Sequence, residues 1–132
     1  MGREIQRLPD AELEVMQALW DQKAYPVSSA EIMEGVAGKG WQPATLLKFL
    51  SRLEERGFVE REKEGRTNWY RPLVSKQDYL AVESRSFLER LHGGSLPSLV
   101  AALVSSRAIG EADIAELEDI LHRGTDREEG GT

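Results

Sequence analysis

The hydrophobic pattern changes period at Gly57, and this constrains the fold more than any other feature of the chain. In WQPATLLKFLSRLEERGFVEREKEGRTNWY, which starts at Trp41, residues before Gly57 repeat at helical spacing and those after it alternate. Pro43 suits the first position of a helix, where a missing N–H costs nothing, and Gly57 suits a left-handed residue just past its end. FVEREK then alternates as a strand, Phe58 with Glu60 and Val59 with Arg61; EGRT is a turn and NWYRPLV a second strand. Two such runs joined by a short glycine-containing loop predict a hairpin.

Upstream, PDAELEVMQALWDQ places Leu13, Met16 and Trp20 at helical spacing, with Val15 and Leu19 widening the stripe. Asp10 and Glu12 fall in the first turn, where they favour the positive end of the helix dipole. YPV ends this helix. Ser28 and Glu31 then form a capping box, Ile32 and Val36 lie one turn apart, and Gly35, Gly38 and Gly40 keep the second helix short. Helix, helix, helix, hairpin is the order of a winged helix-turn-helix domain, expected over residues 8–74.

From Ser75 the chain is helical again. Leu80, Phe87, Leu88 and Leu91 share a face that stops at Gly93-Gly94; Leu96, Leu99, Val100, Leu103 and Val104 form a second stripe; Ile114, Leu117, Ile120 and Leu121 a third. The winged domain should already have its own core. Leu80, Phe87, Leu91, Leu96, Leu99, Val100, Leu103, Val104, Leu117 and Leu121 are therefore expected to hold a homodimer through residues 75–123. Residues 124–132 read as a disordered tail. The fold class is mostly α with a small β hairpin.

Charge is unevenly placed. The 132 residues carry a net charge of -6, yet residues 39–71 hold eight Lys/Arg against five Asp/Glu, a local +3. On a wheel of about 100° per residue starting at Thr45, Phe49, Leu53, Leu46, Leu50 and Leu47 span an apolar arc from about 40° to about 200°. Ser51, Ala44, Lys48 and Arg52 occupy about 240° to about 340° and, with Thr45, form a small, polar, basic arc; Glu54 and Glu55 follow beyond it. Short side chains let a backbone approach a groove floor, threonine can touch a base edge, and Lys48 and Arg52 reach bases or phosphates. Gln42, Ala44, Thr45, Lys48 and Arg52 are the candidate readers of double-stranded DNA, with Lys63 and Arg66 on the wing contacting backbone or minor groove.

The segments AELEVMQALW, SSAEI, WQPATLLKFLSRLEERGFV, EGRTNWYRPLVS, FLERLHGG and LPSLVAALV occur in the order found in the penicillinase-repressor family, often called BlaI/MecI. The chain resembles that family over residues 8–122. The resemblance implies a cytoplasmic homodimeric repressor whose winged helix binds a palindromic operator. It also implies inactivation by proteolysis through a membrane sensor-protease activated by a β-lactam or cell-wall signal, with the scissile bond aligned to Ala102–Leu103. Members with a known cut carry Asn-Phe there. The family's usual recognition helix has two adjacent threonines and a basic residue two positions later; here the residues are Ala44-Thr45 and Leu47, with the cation at Lys48. The absence of cysteine separates the chain from the copper-responsive branch.

Other functional classes find little support. There is no cysteine for a disulfide, thiol nucleophile or thiolate metal site. His92 and His122 are the only histidines and have neither a nucleophile pattern nor metal-ligand spacing. No enzyme activity, metal or cofactor is expected. MGREIQRLPD lacks the apolar core of a signal peptide, and no run approaches the ~18 residues of a membrane helix, so no membrane insertion and a cytoplasmic location are expected. Two alternatives stay open from the residues: a winged-helix module docking an acidic protein through its basic arc, and a repressor governed by a small molecule.

Overall fold

The computed structural model describes residues 4–130, with side chains described through residue 124. In chain order the elements are α1 (Asp10–Trp20), β1 (Val27–Ser28), α2 (Ser29–Gly35), a 3-10 turn (Ala37–Lys39), α3 (Pro43–Glu55), β2 (Val59–Glu64), β3 (Thr67–Pro72), α4 (Lys76–His92), α5 (Leu96–Ser105) and α6 (Glu111–Gly130). They divide into two compact units, one ending at Ser84 and the other starting at Arg85.

The first unit is a winged helix with a three-stranded antiparallel sheet in the order β1-β3-β2. Its core joins Val15, Met16 and Leu19 of α1, Ile32 of α2, Leu46, Leu50 and Leu53 of α3, then Phe58, Val59 and Tyr70 at the base of the hairpin. Tyr79 of α4 belongs to this core as well. Its ring lies 5.8 Å from Phe58 and 5.7 Å from Trp20, and its hydroxyl accepts the Leu8 N–H at 2.9 Å. The boundary expected at 74/75 therefore falls later, because the first turns of α4 finish the winged core. Helical spacing shows that a face is apolar but not which core it joins.

Two strand expectations change. β1 was not foreseen: two residues cannot display alternation, and Val27 and Ser28 are recruited by pairing with Tyr70 and Trp69. In β2 only Val59 is buried; Glu60 to Glu64 are all exposed. The hairpin runs past the core, so both of its faces meet solvent and the alternation of apolar and polar residues has no burial to match.

The join between α3 and the hairpin is a Schellman motif. Gly57 has φ 81°, its N–H donates to Glu54 O at 3.1 Å, and Phe58 N–H donates to Leu53 O at 2.9 Å. Leu53 and Phe58, both buried, make the apolar contact that goes with this ending. At the far end, Gly65 takes φ 64° in a two-residue connection closed by the Glu64–Thr67 pair, as a hairpin with glycine first in the turn requires.

Among its described side chains the second unit, from Arg85, contains no buried residue. Leu99, Val100, Leu103 and Leu117 are half-buried, while Phe87, Leu91, Leu96, Val104, Ile114, Ile120 and Leu121 are exposed. α5 is capped by Ser95, whose hydroxyl accepts the Ser98 N–H, and it ends at Arg107 in a left-handed conformation, φ 62°. α6 continues through Gly130, where an unstructured tail from 124 was expected. Gly124 costs a helix interior only about 1 kcal/mol and Asp126 to Glu129 contain no breaker, so a helix begun at Glu111 can propagate across them. Residues 131–132 lie outside the described residues.

Candidate nucleic-acid interface

α3 buries Leu46, Leu50 and Leu53, and Phe49 is half-buried with its ring 5.0 Å from Trp41. Leu47, expected in the apolar arc, is 41% exposed. It falls at about 200° on the wheel, roughly a right angle from the centre of the buried residues, so the packed arc is narrower than the apolar one. Gln42, Ala44, Lys48, Ser51 and Arg52 are exposed and Thr45 is half-buried. Glu55 is a second correction. Seven residues after Lys48 it returns to nearly the same direction, about 10 Å further along the axis. The carboxylate-free surface is thus the N-terminal part of α3, the part that meets base edges in helix-turn-helix proteins. Gln42 at the N-cap makes no side-chain capping bond.

Ion pairing separates the cations of residues 39–71 into two sets. Lys39 pairs with Glu14 at 3.5 Å, Arg56 with Glu12 at 2.8 Å, Arg61 with Glu54 at 3.1 Å and Arg71 with Glu60 at 3.6 Å. Lys48, Arg52, Lys63 and Arg66 enter no ion pair among the described residues. Arg56 is in effect part of the fold. The Glu12 side chain is 2% exposed, so its main role is to meet this guanidinium under the core rather than the helix dipole at the surface. A buried carboxylate needs such a partner.

The two flanks of α3 differ. Leu47, Ser51 and Glu54, the last paired with Arg61, border a hollow shared with Arg61, Asn68 and Tyr70 of the hairpin. Arg52 borders another, with Glu4, Gln6, Glu55 and Arg56. Burial raises the Tyr70 phenol above its ordinary pKa, with nearby Arg61 pulling the other way, so this hydroxyl stays neutral at physiological pH. Lys63 lies opposite Asn68, one pair from the turn, and Arg66 is in the turn itself. Leu47 and Asn68 are surface residues that the sequence reading left out. The edge position of Leu47 on the wheel was the available signal; for Asn68 there was none, since its place depends on hairpin register.

In the second unit, Ala102 is exposed and Leu103 half-buried inside α5. Their carbonyls accept N–H groups of Ser106 at 3.0 Å and Ala108 at 2.9 Å. His92 Nδ1 lies 3.0 Å from Ser98 Oγ. Among the described residues no group of His, Cys, Asp or Glu could hold a metal ion, and no helix is long and apolar enough to cross a membrane.

Comparison with known proteins identifies the family. Residues 8–123 match the penicillinase repressor family. The chain is 33% identical over 126 residues to a penicillinase repressor of Bacillus licheniformis, covering 95% of this chain and 97% of that one. It is 30% identical over 123 residues to the methicillin resistance regulatory protein MecI of Staphylococcus aureus, covering 93% and 99%. A solution structure of the DNA-binding domain of the repressor BlaI matches at 33% identity and a TM-score of 0.49, over 59% of this chain and 94% of that chain. The chain belongs to the penicillinase repressor family of DNA-binding winged-helix transcriptional repressors, and it is not an enzyme.

Proposed function

We propose that two copies of this chain repress transcription by gripping a palindromic operator. Each places the N-terminal part of α3 in the major groove and the β2–β3 turn against the backbone. Gln42, Ala44, Thr45 and Lys48 meet base edges; Arg52, Lys63 and Arg66 meet phosphates. The observation that carries this reading is the split among the cations: the exposed ones on α3 and the turn are the ones without a carboxylate partner. A cation with no internal partner gives up nothing when it meets a phosphate, and the counterions it displaces from DNA favour binding.

The residues assigned to dimerisation support the paired arrangement. Those in the second unit remain exposed or half-buried within one chain, and apolar stripes of that extent are covered when two copies meet. Repression would end by cleavage at Ala102–Leu103 through a membrane sensor-protease responding to a β-lactam or cell-wall signal. Such a cut divides α5 and its apolar stripe, and operator affinity depends on both half-sites engaging together. A repressor acting on chromosomal DNA works in the cytoplasm.

The test is anisotropy titration, across salt concentrations, of a duplex selected by this protein from a random pool. Arg52, Lys63 and Arg66 in two copies give six phosphate contacts, hence a log–log salt slope of about -5. Affinity indifferent to salt would reject the assignment.

A further inference from the structure

We propose that Leu47 makes the operator specific for thymine, by packing against the C5 methyl of one thymine in each half-site. The inference rests on the reading of α3 as the groove-facing helix. Leu47 is 41% exposed on the N-terminal half of α3, while Leu46 and Leu50 around it are fully buried. Ala44 and Ser51 lie one helical turn to either side of it on the same face, so a branched apolar knob stands between two short side chains. It borders the hollow toward α2, with Ser29, Ala30, Met33 and Glu34, and also the hollow toward the hairpin, with Asn68 and the Glu54–Arg61 pair. A duplex that touches both α3 and the wing lies across Leu47. Arg52, by contrast, is on the other flank with Glu4 and Gln6.

Chemistry then selects the base. Guanine, adenine and cytosine present hydrogen-bonding groups to the major groove, and a leucine strips these of water while offering no bond in return. Thymine adds to its O4 acceptor a methyl group, the one apolar feature of the groove floor. Leu47 therefore favours thymine and disfavours the other three bases by the same contact, and Lys48 beside it remains available for a neighbouring acceptor.

Duplexes selected by the wild-type protein from a random pool provide the probe. Each thymine is replaced in turn by deoxyuridine, which deletes the methyl group and leaves base pairing intact. One symmetry-related pair of positions should weaken wild-type binding by about fourfold per methyl. Leu47→Ala should be insensitive at that pair, and selection repeated with Leu47→Gln, an exposed helix-compatible change, should lose thymine there. The inference is overturned if Leu47→Ala and wild type respond alike at every thymine, or if Leu47→Gln selects the same thymine; the groove-facing role of α3 survives either result. A wild-type protein that selects no sequence from the pool overturns both.

Discussion

Tyr79 shows how one side chain ties a helix to a core the sequence did not assign to it. It is 3% exposed, and its hydroxyl satisfies the Leu8 N–H. Tyr79→Phe leaves that buried donor without a partner, so urea unfolding should show a loss of about 1–3 kcal/mol. Burial raises the Tyr79 phenol above its ordinary value, the Leu8 hydrogen bond opposing; Tyr70 is raised for the same first reason. A folded-state pKa above the unfolded one gives stability that is full below the unfolded value and lost as pH rises through the folded one. The urea midpoint should therefore fall above about pH 10, and less steeply in Tyr79→Phe. Other residues are proposed to act on DNA and not on the fold. Arg66→Ala should weaken binding to all sequences about equally, whereas Thr45→Ala or Lys48→Ala should cost roughly 1–3 kcal/mol and relax sequence preference. Anisotropy on selected and scrambled duplexes separates the two; a Lys48→Ala protein that binds the selected duplex like wild type would remove Lys48 from the readers.

At the scale of elements, the proposed mode of recognition depends on how α3 ends. The Schellman motif at Gly57 fixes the direction in which the chain leaves the helix, and so aims the hairpin beside the surface of α3. Gly57→Ala forces a side chain into φ 81° and should lower stability by about 1–2 kcal/mol, measured by chemical unfolding. Operator affinity should fall by more than affinity for scrambled DNA, because hairpin and helix no longer address one groove together. α5 poses a different requirement. The proposed scissile bond lies in a helix whose carbonyls at Ala102 and Leu103 are both bonded, while a protease binds extended chain. Cutting there would require the last turns of α5 to open first; Arg107, a non-glycine residue held at φ 62°, stands at that end.

For the whole molecule the decisive interaction is the proposed pairing of two chains. The second unit has apolar stripes and no buried described residue, so its stability and the repressor's assembly are expected to be one property. Leu99→Asp places an unpaired charge in the proposed interface and should convert dimers to monomers, since such burial costs several kcal/mol. Light scattering at micromolar concentration reads the result, and a monomeric wild type would refute the assembly. Symmetry makes a further demand. In the proposed dimer, two winged domains related by a two-fold axis would read half-sites on one side of the duplex, about 34–36 Å apart or a multiple of it. Inserting five base pairs between half-sites turns one of them to the opposite side, and affinity should drop toward the non-specific level. Unchanged affinity would mean the two domains bind independently.

The sequence alone determined the local structure and its chemistry. The period change at Gly57, the capping box of Ser28 and Glu31, which the structure forms, and the helical stripes all follow from neighbours a few residues apart, where backbone geometry dictates which side chains share a face. The tertiary structure decided what depends on distant partners. It recruited β1 to the sheet by pairing with β3, gave Tyr79 to the winged core, left Leu47 uncovered, and took Arg56 out of the basic surface by setting it against Glu12. Each of these is a matter of which surface another segment happens to cover. Burial and ion pairing are set by the whole packing, and no local spacing encodes them.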